Sequence, residues 1–253
     1  MSSSAVGVIE ARGLQVSAGA KVLLHDVGLH IAAGERVALV GHNGAGKSTL
    51  LRALTGFGGQ SRVTRGSLRV LDTPLDGACQ GATLRRLRSR VAQVHQGLHL
   101  VGRLSALDNV LIGGAARHPS AWTWLRRWPD YERRAAQAAL VRVGLGGSAH
   151  RRTDTLSGGE RQKVAIARAL HQGAPMMLAD EPTASLDADA ADEVATLLAA
   201  VAAERQATLV CVVHDLDLLP RLADRAIALR RGVVVADVAV DGHTPAQLRG
   251  LLK

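Results

Sequence analysis

The sequence predicts an α/β fold in which helices flank a mostly parallel β-sheet, with an antiparallel β part at the N-terminus and an inserted helical subdomain. Three observations indicate this fold. Short apolar runs typical of strands dominate the first 82 residues. Between Thr83 and Leu156 the spacing of apolar residues becomes helical. From Glu160 onward helices and strands alternate, which is the pattern of βαβ units and of a parallel sheet.

Each predicted element corresponds to a stretch with the matching apolar pattern. In the first part of the chain, strands are predicted at residues 14–16, 22–31, 36–40, 67–71 and 91–94. Helices are predicted at residues 49–54, 104–112 and 131–143. The remainder is predicted as helix 160–170, strand 176–179, helix 188–203, and strands 208–213, 226–229 and 233–235. We assign residues 1–82 and 161–253 to the core and residues 83–160 to the helical subdomain.

Composition limits the classes of protein that fit. With 253 residues, 47% of them hydrophobic, the chain can fill a large core. It contains no run of about 18 uncharged apolar residues, so we expect it neither to cross a membrane nor to be exported. Cys79 and Cys211 are too far apart to indicate a disulfide framework or a zinc site. The net charge of +9 fits nucleic acid, an anionic membrane surface or an acidic partner.

A glycine-rich phosphate-binding loop, or P-loop, follows the predicted strand that ends at Val40. It opens the predicted helix that begins at Thr49, and its residues are Gly41, His42, Asn43, Gly44, Ala45, Gly46, Lys47 and Ser48. Glycines let successive backbone N–H groups turn toward phosphate oxygens. Lys47 is expected to reach the β- and γ-phosphates, and Ser48 to hold Mg²⁺. The sequence therefore predicts a nucleoside triphosphate site on a P-loop core.

Two carboxylates end the apolar strand that is predicted at residues 176–179. Acidic residues at a strand end often cap the next helix, so the pattern alone is a modest signal. In P-loop enzymes, however, the first carboxylate orients Mg²⁺ and the second polarises the attacking water. Because a P-loop precedes them in a parallel sheet, we expect Asp180 to serve the metal and Glu181 to serve the water.

The pentapeptide from Leu156 to Glu160 precedes a predicted amphipathic helix. Ser157 and Glu160 form the pattern of a capping box, but capping does not explain the paired glycines Gly158 and Gly159. Paired glycines at a helix start expose N–H groups to an anion. With this pentapeptide the chain resembles the ATP-binding cassette (ABC) ATPases, whose signature it is.

The resemblance covers nearly the whole chain, because the other motifs of that family follow in order. Gln96 is similar to the glutamine that contacts Mg²⁺, Asp187 to the last residue of the loop that crosses the dimer interface, and His214 to the histidine that contacts the γ-phosphate. The resemblance implies ATP and Mg²⁺ as cofactors and a second copy of the chain as partner. It also implies that Ser157 and Gly159 of one copy complete the ATP site of the other.

One departure from the family pattern concerns the adenine base. Family members carry an aromatic residue before the P-loop, and the corresponding position here falls near Ala18. The first aromatic residue of the chain is Phe57. We therefore expect weaker or less base-selective nucleotide binding, because stacking on an aromatic ring contributes about 1–3 kcal/mol per base.

Four aromatic residues lie between Gln96 and the signature, namely Trp122, Trp124, Trp128 and Tyr131. Aromatic side chains favour interfaces, so contact with a membrane subunit is one interpretation. Packing of these side chains on the helices of the insert is the interpretation that we favour.

The resemblance is strongest to ATPases of phosphonate importers, through residues 99–113 and 140–144. It implies a transport ATPase at the cytoplasmic face of the inner membrane, with permease subunits and, indirectly, an extracytoplasmic solute-binding protein as partners. Importers of phosphite, phosphate or another small anion remain alternatives. So do ABC ATPases that act on nucleic acid or ribosomes, but sustained heptads and a second P-loop are missing from the sequence. We expect no nucleic-acid partner.

Overall fold

The structure of the protein is a computed structural model that describes residues 7–56, 61–75, 79–118, 127–241, 243 and 245–251. The described strands are β1 (Gly7–Ala18), β2 (Lys21–Ala32), β3 (Arg36–Val40), β4 (Ser61–Val70), β5 (Thr73–Pro74), β6 (Val91–Val94), β7 (Met176–Asp180), β8 (Thr208–Val212), β9 (Arg225–Arg230) and β10 (Val233–Ala239). The described helices are α1 (Lys47–Ala53), α2 (Gly81–Ser89), α3 (Ala106–Leu111), α4 (Asp130–Arg142), α5 (Gly158–Gln172), α6 (Ala188–Glu204), α7 (Leu219–Leu222) and α8 (Pro245–Leu251).

The described strands form two sheets. The larger has six strands in the order β10-β9-β3-β8-β7-β6, and all its pairs are parallel except β9 with β10. The smaller has four antiparallel strands in the order β2-β1-β4-β5. The predicted α/β fold with a mostly parallel sheet and an antiparallel N-terminal part is therefore confirmed.

The six-stranded sheet separates two hydrophobic clusters. Side chains alternate between the two faces of a strand, so Val37 and Leu39 of β3 face one cluster, while Ala38 and Val40 face the other. The first cluster fills the space between the two sheets and includes α1. The second lies under α3, α4, α5 and α6. Because both faces are covered, the central strands are apolar throughout, which is why their sequences predict strands so clearly.

Helices α3, α4 and α5 contact one another and form the helical part of the molecule. The range predicted for the helical subdomain, residues 83–160, also contains β6, which pairs with β7 in the six-stranded sheet. Regular structure crosses both predicted boundaries, since α2 spans residue 83 and α5 spans residue 160. Strand pairing and continuous helices therefore connect this range to the core, and the exact division remains a prediction.

The aromatic residues of the insert differ in their surroundings. Trp122 and Trp124 lie outside the described residues. Trp128 is half-buried and packs against the cluster under the helices, as expected for packing on the insert's own helices. Tyr131 is 54% exposed. Among the described helices, none has both the length and the apolar character needed to cross a bilayer.

Candidate active site

Four neighbouring parallel strands, β3, β8, β7 and β6, bring the candidate residues to one edge of the large sheet. Parallel strands end at the same edge, where α/β proteins bind their ligands. The glycine-rich loop follows β3, His214 follows β8, Glu181 follows β7 and Gln96 follows β6. The sheet topology therefore assembles residues that are far apart in the chain.

Glycine is required at two positions of the loop that follows β3. Gly41 has φ +151°, and a Cβ there would lie 2.3 Å from the carbonyl oxygen of Leu229. Gly46 has φ +105° and precedes α1 without a side-chain cap. Within the loop and the start of α1, residues Gly41, Ala45 and Lys47 are buried, Gly46, Ser48 and Thr49 are half-buried, and His42, Asn43 and Gly44 are exposed.

The ammonium group of Lys47 lies inside the curve of this loop. Nζ donates to the carbonyl oxygens of Gly41 at 2.7 Å and His42 at 3.0 Å, and the residue is only 5% exposed. Burial lowers the pKa of Lys47, although the charges of Glu181 and Asp180 act in the opposite direction. The loop therefore holds a buried positive charge where the sequence predicts phosphate.

Ser48 and Asp180 meet beside Lys47. The Ser48 hydroxyl donates to Oδ1 of Asp180 at 3.2 Å. Burial raises the pKa of Asp180, and the neighbouring Glu181 also raises it, while the Ser48 hydrogen bond lowers it. A hydroxyl and a carboxylate are hard oxygen ligands of the kind that Mg²⁺ prefers. The donor set therefore fits the predicted metal.

Glu181 is the centre of a hydrogen-bonded group. Its Oε2 accepts from Nε2 of Gln96 at 2.8 Å, and its Oε1 lies 2.6 Å from Nε2 of His214. Its backbone is left-handed, with φ +51°. A non-glycine residue in this region is strained and persists only where its surroundings fix it, which is typical of functional sites. Residues that follow β6 and β8 thus hold the carboxylate that follows β7.

The signature residues form a second, exposed group. Ser157 caps α5: its hydroxyl accepts from the Glu160 N–H at 3.2 Å, and the Glu160 carboxylate accepts from the Ser157 N–H at 2.8 Å. This second bond is the main reason that the pKa of Glu160 is lowered. The predicted capping box is therefore present.

Asp187 caps the neighbouring helix α6 and accepts from the Ala190 N–H at 2.9 Å. A Cβ on Gly158 would lie 3.6 Å from Cδ2 of Leu186, so the starts of α5 and α6 are adjacent. Among the described residues, no hydrogen bond links Ser157 or Asp187 to the group around Glu181.

Sequence reasoning missed two polar contacts of α5, one at the turn that follows Gln96 and one in the helical part. Arg168 of α5 donates to the carbonyl oxygens of Leu98 and His99, and an arginine on an amphipathic helix predicts only an exposed side chain. In the helical part, the buried carboxylate of Glu132 contacts His171 of α5. Neither contact has a signal in the sequence, because the partners lie far apart in the chain.

Comparison with known proteins identifies the family of the chain. Residues 24–184 match the family model described as ABC transporter. The phosphonates import ATP-binding protein PhnC of Nocardia farcinica is 46% identical over 235 residues, which cover 93% of this chain and 86% of the relative. The phosphate-import ATP-binding protein PhnC of Mycolicibacterium smegmatis is 45% identical over 94% of this chain and 89% of the relative.

Solved structures show the same architecture. A dimeric, post-hydrolysis ATP-binding cassette bound to ADP and Pi superposes with a TM-score of 0.77 at 28% identity, covering 92% of this chain and 98% of the other. CbiO1 of Clostridium perfringens, part of an ABC transporter complex, gives 0.80 at 25% identity over 96% of this chain and 91% of the other. With the family model and relatives above 40% identity over most of its length, the chain belongs to the ABC transporter family.

Proposed function

We propose that the chain is the ATP-hydrolysing motor subunit of a bacterial ABC importer whose cargo is phosphonates. The observation that carries the proposal is the carboxylate of Glu181, which Gln96 and His214 hold beside the lysine of a phosphate loop. The names of relatives such as the Nocardia farcinica protein, at 46% identity, support the importer assignment.

The phosphate loop binds ATP through its backbone N–H groups, and Lys47 places its charge beside the β- and γ-phosphates. The other residues of the loop and the start of α1 surround the phosphates together with Lys47. These residues are Gly41, His42, Asn43, Gly44, Ala45, Gly46, Ser48 and Thr49. Ser48, Asp180 and Gln96 would hold Mg²⁺, which when bound neutralises charge on the phosphates. Gln96 donates to Glu181 through its amide nitrogen, so its amide oxygen remains available to coordinate Mg²⁺.

Glu181 orients the attacking water and accepts its proton. His214, on the other oxygen of the same carboxylate, keeps Glu181 in place and faces the γ-phosphate. Lys47 stabilises charge that develops on the transferring phosphoryl group. In this arrangement the chain supplies positioning and electrostatics, which are the main contributions to phosphoryl transfer.

A second copy of the chain completes the site. Ser157, Gly158 and Gly159 present a helix start to solvent, away from the hydrogen-bonded group of their own chain. In a head-to-tail pair these residues meet the γ-phosphate that is bound by the partner's phosphate loop, and Asp187 lies at the interface. ATP then stabilises the closed pair and hydrolysis reopens it. The solved cassette bound to ADP and Pi, 28% identical to this chain, is dimeric, which supports pairing of two copies.

The motor acts on permease subunits at the cytoplasmic face of the inner membrane, and indirectly on an extracytoplasmic solute-binding protein. One relative is named for phosphonates and another for phosphate, at 46% and 45% identity, so phosphate is the second candidate cargo. A role on nucleic acid or ribosomes lacks such support. The ligand retained by the binding protein encoded beside this chain distinguishes phosphonate, phosphite and phosphate.

ATP hydrolysis by the purified chain tests the chemistry. We expect Glu181→Gln to lower kcat by about 100-fold or more, since general-base catalysis contributes on the order of 10²–10⁴. Glu204→Gln is the matched control, because Glu204 pairs with Arg142 on the surface and its side chain is 47% exposed. Equal rates in wild type and Glu181→Gln would remove Glu181 from its role.

A further inference from the structure

The turn that follows Gln96 has an unusual backbone. Leu98 and His99 are consecutive non-glycine residues with positive φ, +57° and +47°. For L-residues this left-handed conformation is sterically unfavourable. Local bonds close the turn, since the Leu98 N–H donates to His95 and the His99 N–H to Gly97. A turn with this conformation needs further contacts to persist.

Arg168 of α5 provides such a contact with both branches of its guanidinium. Nη2 donates to the carbonyl oxygen of Leu98 at 2.7 Å, and Nη1 donates to that of His99 at 2.9 Å. Burial lowers the pKa of Arg168. Within the described part of the chain, no salt bridge joins Arg168 to a carboxylate. A half-buried arginine committed to two backbone oxygens fixes the turn in two directions.

The position of Arg168 is itself fixed by close packing. The short 3₁₀ helix Ile112–Gly114 lies so near α5 that a Cβ on Gly113 would be 2.5 Å from the carbonyl oxygen of Arg168. This contact leaves little room for α5 to shift at Arg168 without moving the 3₁₀ helix. The guanidinium therefore reaches the turn from a rigid support.

We infer that Arg168 is a positioning residue for ATP hydrolysis: it holds the Leu98–His99 turn so that the amide of Gln96 meets the carboxylate of Glu181. The inference rests on the proposed function. Helix α5 begins at the signature and carries Arg168 three turns later, while Gln96 lies two residues before the turn and donates to Glu181 at 2.8 Å.

A double-mutant cycle between Arg168 and Gln96 tests this. We expect Arg168→Met to lower kcat roughly 10- to 100-fold, the order of loss for a misplaced reacting group. The KM for ATP should stay within about twofold, because the phosphate loop is unchanged. In the Gln96→Ala background, Arg168→Met should cause no further loss, since the residue through which it acts is already gone. Arg142→Met, at an exposed surface arginine, is the control.

Additive losses in the cycle, or a kcat that Gln96→Ala leaves unchanged, would overturn the inference. If urea unfolding shows that Arg168→Met is not folded under assay conditions, Arg168→Lys replaces it in the same cycle. The lysine ammonium retains the positive charge but cannot reproduce the two-pronged geometry with which the guanidinium binds both carbonyl oxygens. The proposed function is tested separately by wild-type hydrolysis and its loss in Glu181→Gln. An active wild type with an additive cycle contradicts only the role of Arg168.

Discussion

At the scale of single residues, Glu181 combines an unfavourable backbone with two firm side-chain contacts. Its φ of +51° is compensated by hydrogen bonds at 2.8 Å and 2.6 Å to side chains from two other loops. These two contacts orient the carboxylate. Preorganisation of this kind reduces the reorganisation needed during the reaction.

Single residues also show which contacts the sequence predicts and which contacts it does not. The contact between Ser48 and Asp180 follows directly from the motifs, because both are expected at the metal. For Gln96 and His214 the resemblance implies contacts with Mg²⁺ and with the γ-phosphate. The structure instead joins both side chains to Glu181, and the roles toward ligands remain predictions.

Ala18 is the residue at which we expect nucleotide affinity to change. It ends β1 and pairs with Lys21 across the hairpin. Ala18→Tyr should tighten ATP binding by about 1 kcal/mol or more, which is about fivefold or more in Kd, because a base gains an aromatic stacking partner. Equilibrium binding of ATP to the purified chain measures the effect.

Ala20→Tyr is the matched control, since Ala20 lies in the turn of the same hairpin and is exposed. It should leave the affinity unchanged. An unchanged affinity in Ala18→Tyr as well would mean that adenine does not lie over this position.

At the scale of elements, helix α5 makes a capping box at its start and holds the Leu98–His99 turn through Arg168 in its interior. Its capping box was predicted from Ser157 and Glu160, because capping depends on residues within one turn. The interior contact of Arg168 was not predicted, since its acceptors are backbone oxygens 69 and 70 residues away. Local chemistry is readable in the sequence, whereas distant backbone partners are not.

The strands show the same contrast. Residues 36–40 and 91–94 are predicted as strands, and strands β3 and β6 have the same bounds. The prediction of residues 14–16 covered only part of β1, which extends over residues 7–18 and has irregular register with both neighbours. β-bulges interrupt the alternation of apolar and polar residues, so the pattern shortens the strand.

Substitutions of Ser157 can separate its role as the cap of α5 from its proposed role toward ATP. Ser157→Asp should keep the cap, because Asp and Ser are similarly good N-cap residues, whereas Ser157→Ala should cost about 1 kcal/mol of stability. The added negative charge of Asp should oppose the γ-phosphate of the partner site. We therefore expect Ser157→Asp to abolish ATP-dependent pairing while stability is retained.

Urea unfolding measures the stability of the Ser157 variants. Light scattering with magnesium-ATP measures their ATP-dependent pairing, and it is done in the Glu181→Gln background because hydrolysis is blocked there. Pairing that persists in Ser157→Asp would show that Ser157 is only a helix cap.

At the scale of the whole molecule, a buried ionic group joins the elements of the helical part. Glu132 of α4 is 3% exposed and contacts Arg117, His118 and His171. Burial acts to raise the pKa of Glu132, but the hydrogen bonds from Arg117 and His118 outweigh it and lower the pKa. For His171, burial is the main reason that the pKa falls to about 4. The charge of Arg117 also lowers this pKa, and Glu132 raises it less.

This group predicts a loss of stability in mild acid. The ordinary pKa of histidine is 6.5, so between about pH 6.5 and pH 4 the unfolded chain binds a proton at position 171 that the folded chain does not. Stability therefore falls as the pH falls through this window. The contribution of His171 at pH 5 is a loss of about 2 kcal/mol relative to pH 7.

The free energy of unfolding in urea at pH 7 and pH 5 checks the prediction. His171→Gln cannot take up the proton, so the difference between the two pH values should shrink by about 2 kcal/mol. His150→Gln, at an exposed histidine, should behave like the wild type. A difference that His171→Gln leaves unchanged would contradict the assignment of this proton to position 171.

The sequence by itself determined the fold class and indicated which residues form the candidate site. Phosphate and Mg²⁺ are bound by glycine, lysine, serine and carboxylate residues that lie in short sequence motifs. Strands that are covered on both faces are apolar throughout. The tertiary structure alone decided the contacts that no motif predicts. Gln96 reaches Glu181 across 85 residues, Arg168 reaches the Leu98 carbonyl across 70, and Arg117 meets His171 across 54. Such pairs depend on how loops and helices pack, and neither periodicity nor local motif spacing records that packing.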